Sequence, residues 1–555
     1  MTAISAVTPP SLAARLLGLG SVFGKAFRDS RRTALLIGLL FAAIIAATAS
    51  QIAIQFDSVQ ARLLFTTQLT ALPAIFQGML GEVIGIEKLG GFVSWRIFNI
   101  MPVMMGIWSI VALSGTLANE LARGSLDVLA ATPLVRRRLA VQKLLGYLAA
   151  LVLALALLAI GTYASITAFA KLPGDEVSMA AALGHVAWLG LMTLVPGAAA
   201  FVAAPFIGRG GALGVGAVVL FASYVVASYA DTVPAFDAIR GLSYFEIGAG
   251  PRPLAGRWDW PAMAALAVIA VGLLVAGIEA FVRRDLLVPS GGRFRIPGLR
   301  VWVMGPFTRG LGERLPAALA WGAILGLYGI AIAASADQFV AQISKIPQIL
   351  LMVKQIYPDA DLISAAGLLQ LAFFQQGIIV LGLAAAAFVG GWASDEGERR
   401  LEVILATPVS RLAWGLRSGF AVLAAVIITT LVMMLGIAAG LSIAGTDPVR
   451  PTLGAAVLGL YAMALAGVGV AVGGVVRPSL AAPVTLILGL GFFILDLLGA
   501  ILKLPTAILD LSLTRHLGQP MAGNVDRFGL AVCAALAIGG VVVGALGLRR
   551  RDVGR

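Results

Sequence analysis

Residues 118–136 read ANELARGSLDVLAATPLVR, and residues 393–411 read ASDEGERRLEVILATPVSR. Aligned without gaps, the two stretches share Leu126/Leu401, Val128/Val403, Ala131-Thr132-Pro133/Ala406-Thr407-Pro408 and Arg136/Arg411. Acids stand opposite acids at Glu120/Asp395 and Asp127/Glu402. Each copy follows a long apolar run and precedes another, so each reads as a charged corner between two membrane spans.

The spacing within the corner predicts its geometry. Thr132 and Thr407 are good N-caps, and Pro133 and Pro408 suit the first helical position, where a missing N–H costs nothing. Proline also disfavours helix in the residue before it, so one helix ends near Ala131 or Ala406 and a new one climbs back into the membrane. In the helix before the break, Glu120, Arg123 and Asp127 fall at i, i+3 and i+7, on one face, and Asp395, Glu398 and Glu402 repeat the spacing. Leu126, Leu129, Leu401, Ile404 and Leu405 can turn to the membrane-embedded core. The expectation is a short amphipathic surface helix that shows an acidic polar face to the cytosol. One such corner is what any polytopic protein needs; two at equivalent positions point to a docking element.

Composition agrees with a membrane chain. Of 555 residues, 60% are hydrophobic and 12% charged, and the mean hydropathy is +0.97. The net charge of +13 is concentrated in segments placed in the cytosol, which is the positive-inside bias rather than a nucleic-acid patch. The single cysteine, Cys533, excludes an intrachain disulfide. His185 and His516 are far apart in sequence and read as interfacial or packing residues, not a zinc site.

Taken in order, residues 1–32 read as a cytoplasmic interfacial helix, with Leu12, Leu16, Leu19, Phe23 and Phe27 at helical spacing. Gly20–Lys25 lacks the spacing of a phosphate loop. Ser30-Arg31-Arg32 imitates a twin-arginine signal, but cleavage would leave the first half one span short of the second. Predicted spans at 33–55, 98–117, 139–169, 182–207, 212–230 and 261–282 make a first half, 33–282. A cytoplasmic linker, 283–315, is rich in Arg, Gly and Pro. Spans at 316–336, 370–392, 412–444, 452–475, 480–500 and 524–548 make a second half, 316–555. The fold class is therefore an all-α polytopic membrane protein of about twelve helices in two pseudo-symmetric six-helix halves, with both termini cytoplasmic.

The sequence carries no Walker A loop, metal-ligand cluster or nucleophile–His–acid set, so it reads as a permease rather than an enzyme. Asp496 and Glu279 lie towards span ends, and no ladder of acids forms a proton relay.

Acids, a Leu-acid-hydrophobic run and Ala-Thr-Pro-x-x-Arg together resemble the cytoplasmic motif of type-2 ATP-binding-cassette exporter permeases. The doubled layout and the Ala-Gly-Arg-rich composition are similar to their fused subgroup, the polyketide-antibiotic (tetronasin-type) exporter permeases. The motif covers about forty residues and the layout the whole chain. The resemblance implies a bacterial cell-membrane permease working with two copies of a separate ATPase subunit, which would hold ATP and Mg and receive both corners in its grooves. The coupling residues would be Glu120, Arg123, Asp127, Thr132, Pro133 and Arg136, with Asp395, Glu398, Glu402, Thr407, Pro408 and Arg411. It also implies that spans two and five of each half line the pathway. Met101, Met104, Met105 and Trp108 share a face of span two; Phe221 and Tyr224 stand in span five, Phe373 and Phe374 in span eight, and Phe492 and Phe493 in span eleven. Met and aromatic surfaces adapt to bulky apolar ligands, so an amphiphilic antibiotic, drug or lipid is the expected cargo.

Two other readings compete. Gly391-Trp392-Ala393-Ser394-Asp395 followed by Arg399-Arg400 partly resembles the loop motif of major-facilitator carriers, with Glu396 and Glu398 out of pattern and no copy in the first half. The other is a membrane scaffold that transports nothing.

Overall fold

The computed structural model describes residues 21–70, 81–122, 136–231, 233–283, 305–336, 340–341, 364–397, 400–502 and 505–551. The chain forms two compact units, Met1–Ala230 with Ala235–Phe294, and Asp231–Pro234 with Arg295–Arg555.

In the first unit, α1 (Val22–Gln55) starts at Ser21, whose hydroxyl accepts from Gly24 N at 3.0 Å. The sequence reading separates an interfacial helix ending at residue 32 from a span starting at 33. The structure instead runs one helix through both. No proline interrupts 22–55, and at 1.5 Å per residue its length of about 50 Å exceeds the ~30 Å hydrocarbon core, leaving room for the basic first turns outside it. The helices α2 (Val59–Thr70) and α3 (Leu89–Arg96) follow, and α3 meets α4 (Met101–Ala122) at a bend of 48°. α5 (Arg136–Phe169) packs along α1, with Ala150 and Ala154 buried against Ala34. The next helix, α6, carries unbroken helical backbone over Met179–Tyr229. A straight helix of 51 residues would be about 75 Å long. It is not straight: a Cβ on Gly216 would lie 3.0 Å from the Ala200 Cβ, and Ala204 packs with Ala212. The helix therefore doubles back near Gly208–Gly211, between the predicted spans at 182–207 and 212–230. α7 (Trp260–Val282) completes the unit, capped by Asp259 accepting from Ala262 N at 3.0 Å.

The loops of this unit are tied by a buried ion pair. Arg62 donates to both carboxylate oxygens of Asp175, which also accepts from the backbone N–H of Leu89 at 2.9 Å and of Leu172 at 3.1 Å. Burial alone would push the Asp175 carboxyl up, but the guanidinium and the two amides outweigh it and hold it below its ordinary value.

In the second unit, α8 (Pro306–Ala334) crosses α11 (Arg411–Ile443) so closely that a Cβ on Gly436 would fall 2.4 Å from the Gly326 Cα. Between them in sequence lie α9 (Gln375–Gly397), entered through a π-helical turn at Leu369–Phe374, and the short α10 (Arg400–Leu405). The Tyr328 hydroxyl donates to the Ala372 carbonyl in that turn at 2.9 Å. α12 (Val449–Val475) packs on α14 (Arg527–Arg550), and α13 (Pro478–Leu502) on α9.

Among the described residues ten helices are long and apolar enough to cross a bilayer, and the bent α3–α4 pair would make an eleventh. The predicted span at 480–500 lies in α13, whose apolar stretch Pro478–Phe493 is shorter than the others. Large apolar side chains stand outward on these helices, Leu36 63%, Val268 72% and Leu435 70% exposed. Outward apolar faces on helices that satisfy their own backbone are what a lipid solvent requires. The chain is an all-α polytopic membrane protein.

Candidate functional site

Charged side chains in the second unit collect where α8, α9, α11 and α14 meet beside the corner. On α8, Arg309 Nε bonds Glu313 Oε1 one turn on at 3.0 Å. Arg314 is 5% exposed; it donates to the Phe388 carbonyl at 3.2 Å and to the Gly310 carbonyl at 2.6 Å. Asp395, two helical turns beyond Phe388, is 6% exposed, with Arg309 Nη2 at an ion-pair distance of 3.6 Å from Oδ1. Glu396 Oε2 accepts from Arg551 Nη2 at 2.5 Å, and the Arg551 carbonyl accepts from Arg411 Nη1 at 2.9 Å. Trp392 stacks on Trp414 at 5.8 Å and donates to Ser418 Oγ at 2.9 Å. Two tryptophans and seven charged side chains thus fix the helix that leads into the corner.

The corner hangs from this frame. On α10 Leu401 is buried, Ile404 and Leu405 are half-buried, and Glu402 is exposed. Val403 is 72% exposed. Thr407, Pro408 and Arg411 are also exposed. Two expectations need correcting. Thr407 is not an N-cap: its hydroxyl donates back to the Ile404 carbonyl at 2.5 Å, closing the preceding helix. The cap of α11 is Ser410, whose Oγ accepts from Ala413 N at 3.1 Å, so Pro408 lies in the turn and not in the first helical position. Nor does Asp395 join Glu402 on a solvent-facing acidic surface. Asp395 faces inward, towards Arg309 and the buried Arg314 of α8, while Glu402 stays outside.

In the first copy, Arg123, Asp127, Thr132 and Pro133 lie outside the described residues, as do Glu398 in the second and the side chain of Glu120 at the end of α4. Arg136, the partner of Arg411 in the alignment, is exposed at the start of α5. Its neighbour Arg137 pairs with Glu279 of α7.

The predicted pathway residues are mostly packed inside their own units. Met101, Met105 and Phe221 are buried, and Met104 is half-buried. Half-buried Trp108 leans on Tyr147 at 5.5 Å, and Tyr224 meets Phe245 edge-on at 5.4 Å. Phe373 and Phe374 are buried in the π-helical turn, Phe373 stacked on Tyr328 at 5.3 Å. Phe492 and Phe493 remain half-buried. His185 is fully buried between Phe98 and Trp188, and His516 hydrogen-bonds the Asp510 carbonyl at 2.9 Å.

Sequence reasoning missed Arg309, Glu313, Arg314, Glu396 and Arg551. Arg314 stands two residues before a predicted span, and a charge that close to the apolar core signals a buried partner. Nothing in the spacing names the partner. The carrier-type loop motif is also corrected: Gly391–Asp395 is helical within α9, with Trp392 buried.

Residues 310–549, which include the whole of this frame except Arg309 and Arg551, match a family model described as the multidrug efflux system permease Rv1217c, C-terminal domain. No curated protein matches the chain. The match supports a role in transport as an efflux permease, rather than as an enzyme.

Proposed function

We propose that this chain is the membrane permease of an ATP-driven exporter of amphiphilic or hydrophobic compounds, powered by two copies of a separate ATP-binding-cassette ATPase. The observation that carries this reading is the α10 corner, which presents Glu402, Val403, Thr407 and Pro408 outward while Leu401 anchors it to the core. A short helix with an exposed valine and acid, held by a buried ionic frame, is suited to sit in a partner's groove and pass on its motion. ATP and Mg would be held by the partner. The first corner, residues 118–136, would be its counterpart in the other half, within the fused arrangement of the tetronasin-type permeases. Both corners, the linker at 283–315 and both termini would then face the cytosol of a bacterial cell.

Affinity purification with an epitope on the ATPase, followed by native mass measurement, tests the assembly. The expected result is one chain with two ATPase subunits, lost in a Val403→Glu variant that is otherwise stable. Undiminished export by cells whose ATPase partner binds but cannot hydrolyse ATP would overturn the proposal.

A further inference from the structure

α13 carries a carboxylate that the ionic frame does not use. Asp496 lies six residues before the end of the helix and is half-buried. Its Oδ2 accepts from Thr514 Oγ1, which is itself hydrogen-bonded to Ser512 Oγ at 2.5 Å. Its Oδ1 is shielded from solvent and has no hydrogen-bond partner among the described residues. The Tyr461 side chain of α12 is fully buried, its hydroxyl is likewise unpartnered, and it lies within electrostatic reach of the Asp496 carboxylate. Among the described residues no Lys or Arg forms an ion pair with Asp496; Arg515, nearby in sequence, pairs with Asp510 at 3.6 Å.

A half-buried carboxylate towards a span end, with no Lys or Arg ion pair among the described residues, is costly and marks a functional position. The surroundings narrow the choice of ligand. A hard divalent cation wants six or more oxygens, and among the described residues no cluster of metal-ligating side chains forms. A proton alone would satisfy one oxygen and leave the Tyr461 hydroxyl as it is, since the two groups are not hydrogen-bonded to each other. Phe492 and Phe493 precede Asp496 by four and three residues, so they share its helix face, and both are half-buried. Aromatic faces beside one uncompensated carboxylate attract a cation whose charge sits on an apolar body.

We infer that Asp496, Phe492, Phe493 and Tyr461 form a binding site for a lipophilic monocation, such as a quaternary ammonium or phosphonium amphiphile. The carboxylate neutralises the charge, the phenylalanines take the apolar groups, and Thr514 with Ser512 holds the carboxylate in place. The inference rests on the efflux reading for the size of the occupant, but not on ATP coupling.

The test is equilibrium binding to the full chain alone, in nanodiscs of uncharged lipid. Tetraphenylphosphonium should bind saturably and at least tenfold more tightly than neutral triphenylphosphine oxide or anionic tetraphenylborate. Asp496→Asn, which keeps the shape and an acceptor for Thr514, should weaken tetraphenylphosphonium at least tenfold while leaving the neutral compound unchanged. Asp496→Glu should recover part of the loss. Equal affinity for the cation and the neutral compound in the wild type overturns the site without any variant. So does tetraphenylphosphonium binding that survives Asp496→Asn. Because no ATPase is present, failure here leaves the ATP-driven reading standing, and failure of that reading leaves this site standing.

Discussion

Arg551, which caps the C-terminus of the last helix, donates to Glu396 of α9 at 2.5 Å, and its own carbonyl accepts from Arg411 of α11 at 2.9 Å. One residue thereby ties the end of the unit to both sides of the corner. The two side chains of the pair are 17% and 10% exposed, so the pair is mostly withdrawn from water. Glu396→Gln should cost about 1–2 kcal/mol, less than a fully buried pair because part of the surface remains hydrated. The exchange Glu396→Arg with Arg551→Glu should recover some of that loss. Thermal unfolding in detergent reads both, and an exchange no better than the worse single variant removes the pair from the account.

Asp395 and Val403 are eight residues apart in the same motif and should respond in opposite ways. Removing Asp395 takes from the buried Arg314 its stronger carboxylate attraction and leaves only Glu313, which Arg309 already engages at 3.0 Å. The cost should approach, but not reach, the ~3–5 kcal/mol of an uncompensated buried charge. Asp395→Ala should therefore reduce folded yield as well as export. Val403→Glu changes an exposed position and should alter stability by no more than about 0.5 kcal/mol, yet abolish export. Yield by fluorescence size-exclusion and accumulation of dye in cells separate the two effects. Normal export by Val403→Glu would remove the corner from the coupling path.

The Arg62–Asp175 pair predicts an acid limb in the stability of the first unit. Its carboxyl is held below the ordinary 3.8, so its folded value is depressed relative to the unfolded one. The contribution is complete above about pH 4 and is lost as the pH falls through the folded value. Asp175→Asn should lower the unfolding temperature at neutral pH and flatten its dependence below pH 4. A wild type and variant with parallel acid limbs would contradict this assignment.

Helix contact, as opposed to glycine content, should decide the tolerance of α14. A Cβ on Gly540 would fall 2.3 Å from the Gly467 backbone, whereas nothing lies within 4 Å of one on Gly539. Gly540→Ala should cost about 1–3 kcal/mol through overpacking. Gly539→Ala should be neutral or stabilising by up to about 1 kcal/mol, from helix propensity alone. Unfolding midpoints of the adjacent pair provide the comparison.

Most of the helical layout was legible because a span in lipid must be a long apolar helix, and its ends are written in charges and prolines. The break at Gly208–Gly211 was read this way, as was the corner before Arg411. The start of α1 was not, since a basic stretch reads as an interface signal even where the helix simply continues through it. Thr407 was misassigned because Thr-Pro and Ser410-Arg411 are both acceptable helix starts. Only the fold of the turn selects between them.

The sequence by itself determined that this chain is built of apolar helices and that one charged corner occurs twice, since both follow from periodicity and composition along the chain. The tertiary structure decided which charges at that corner are displayed and which are consumed. Asp395 and Glu402 have the same chemistry and fall on the same predicted helix face, but only Asp395 meets Arg309, 86 residues earlier in the chain. Likewise, one Asp496 oxygen accepts a hydrogen bond and the other is left without a partner among the described residues because of where Thr514 arrives from another segment. Partners so distant in sequence leave no spacing to read, and burial is a property of the packed helices rather than of any stretch of the chain.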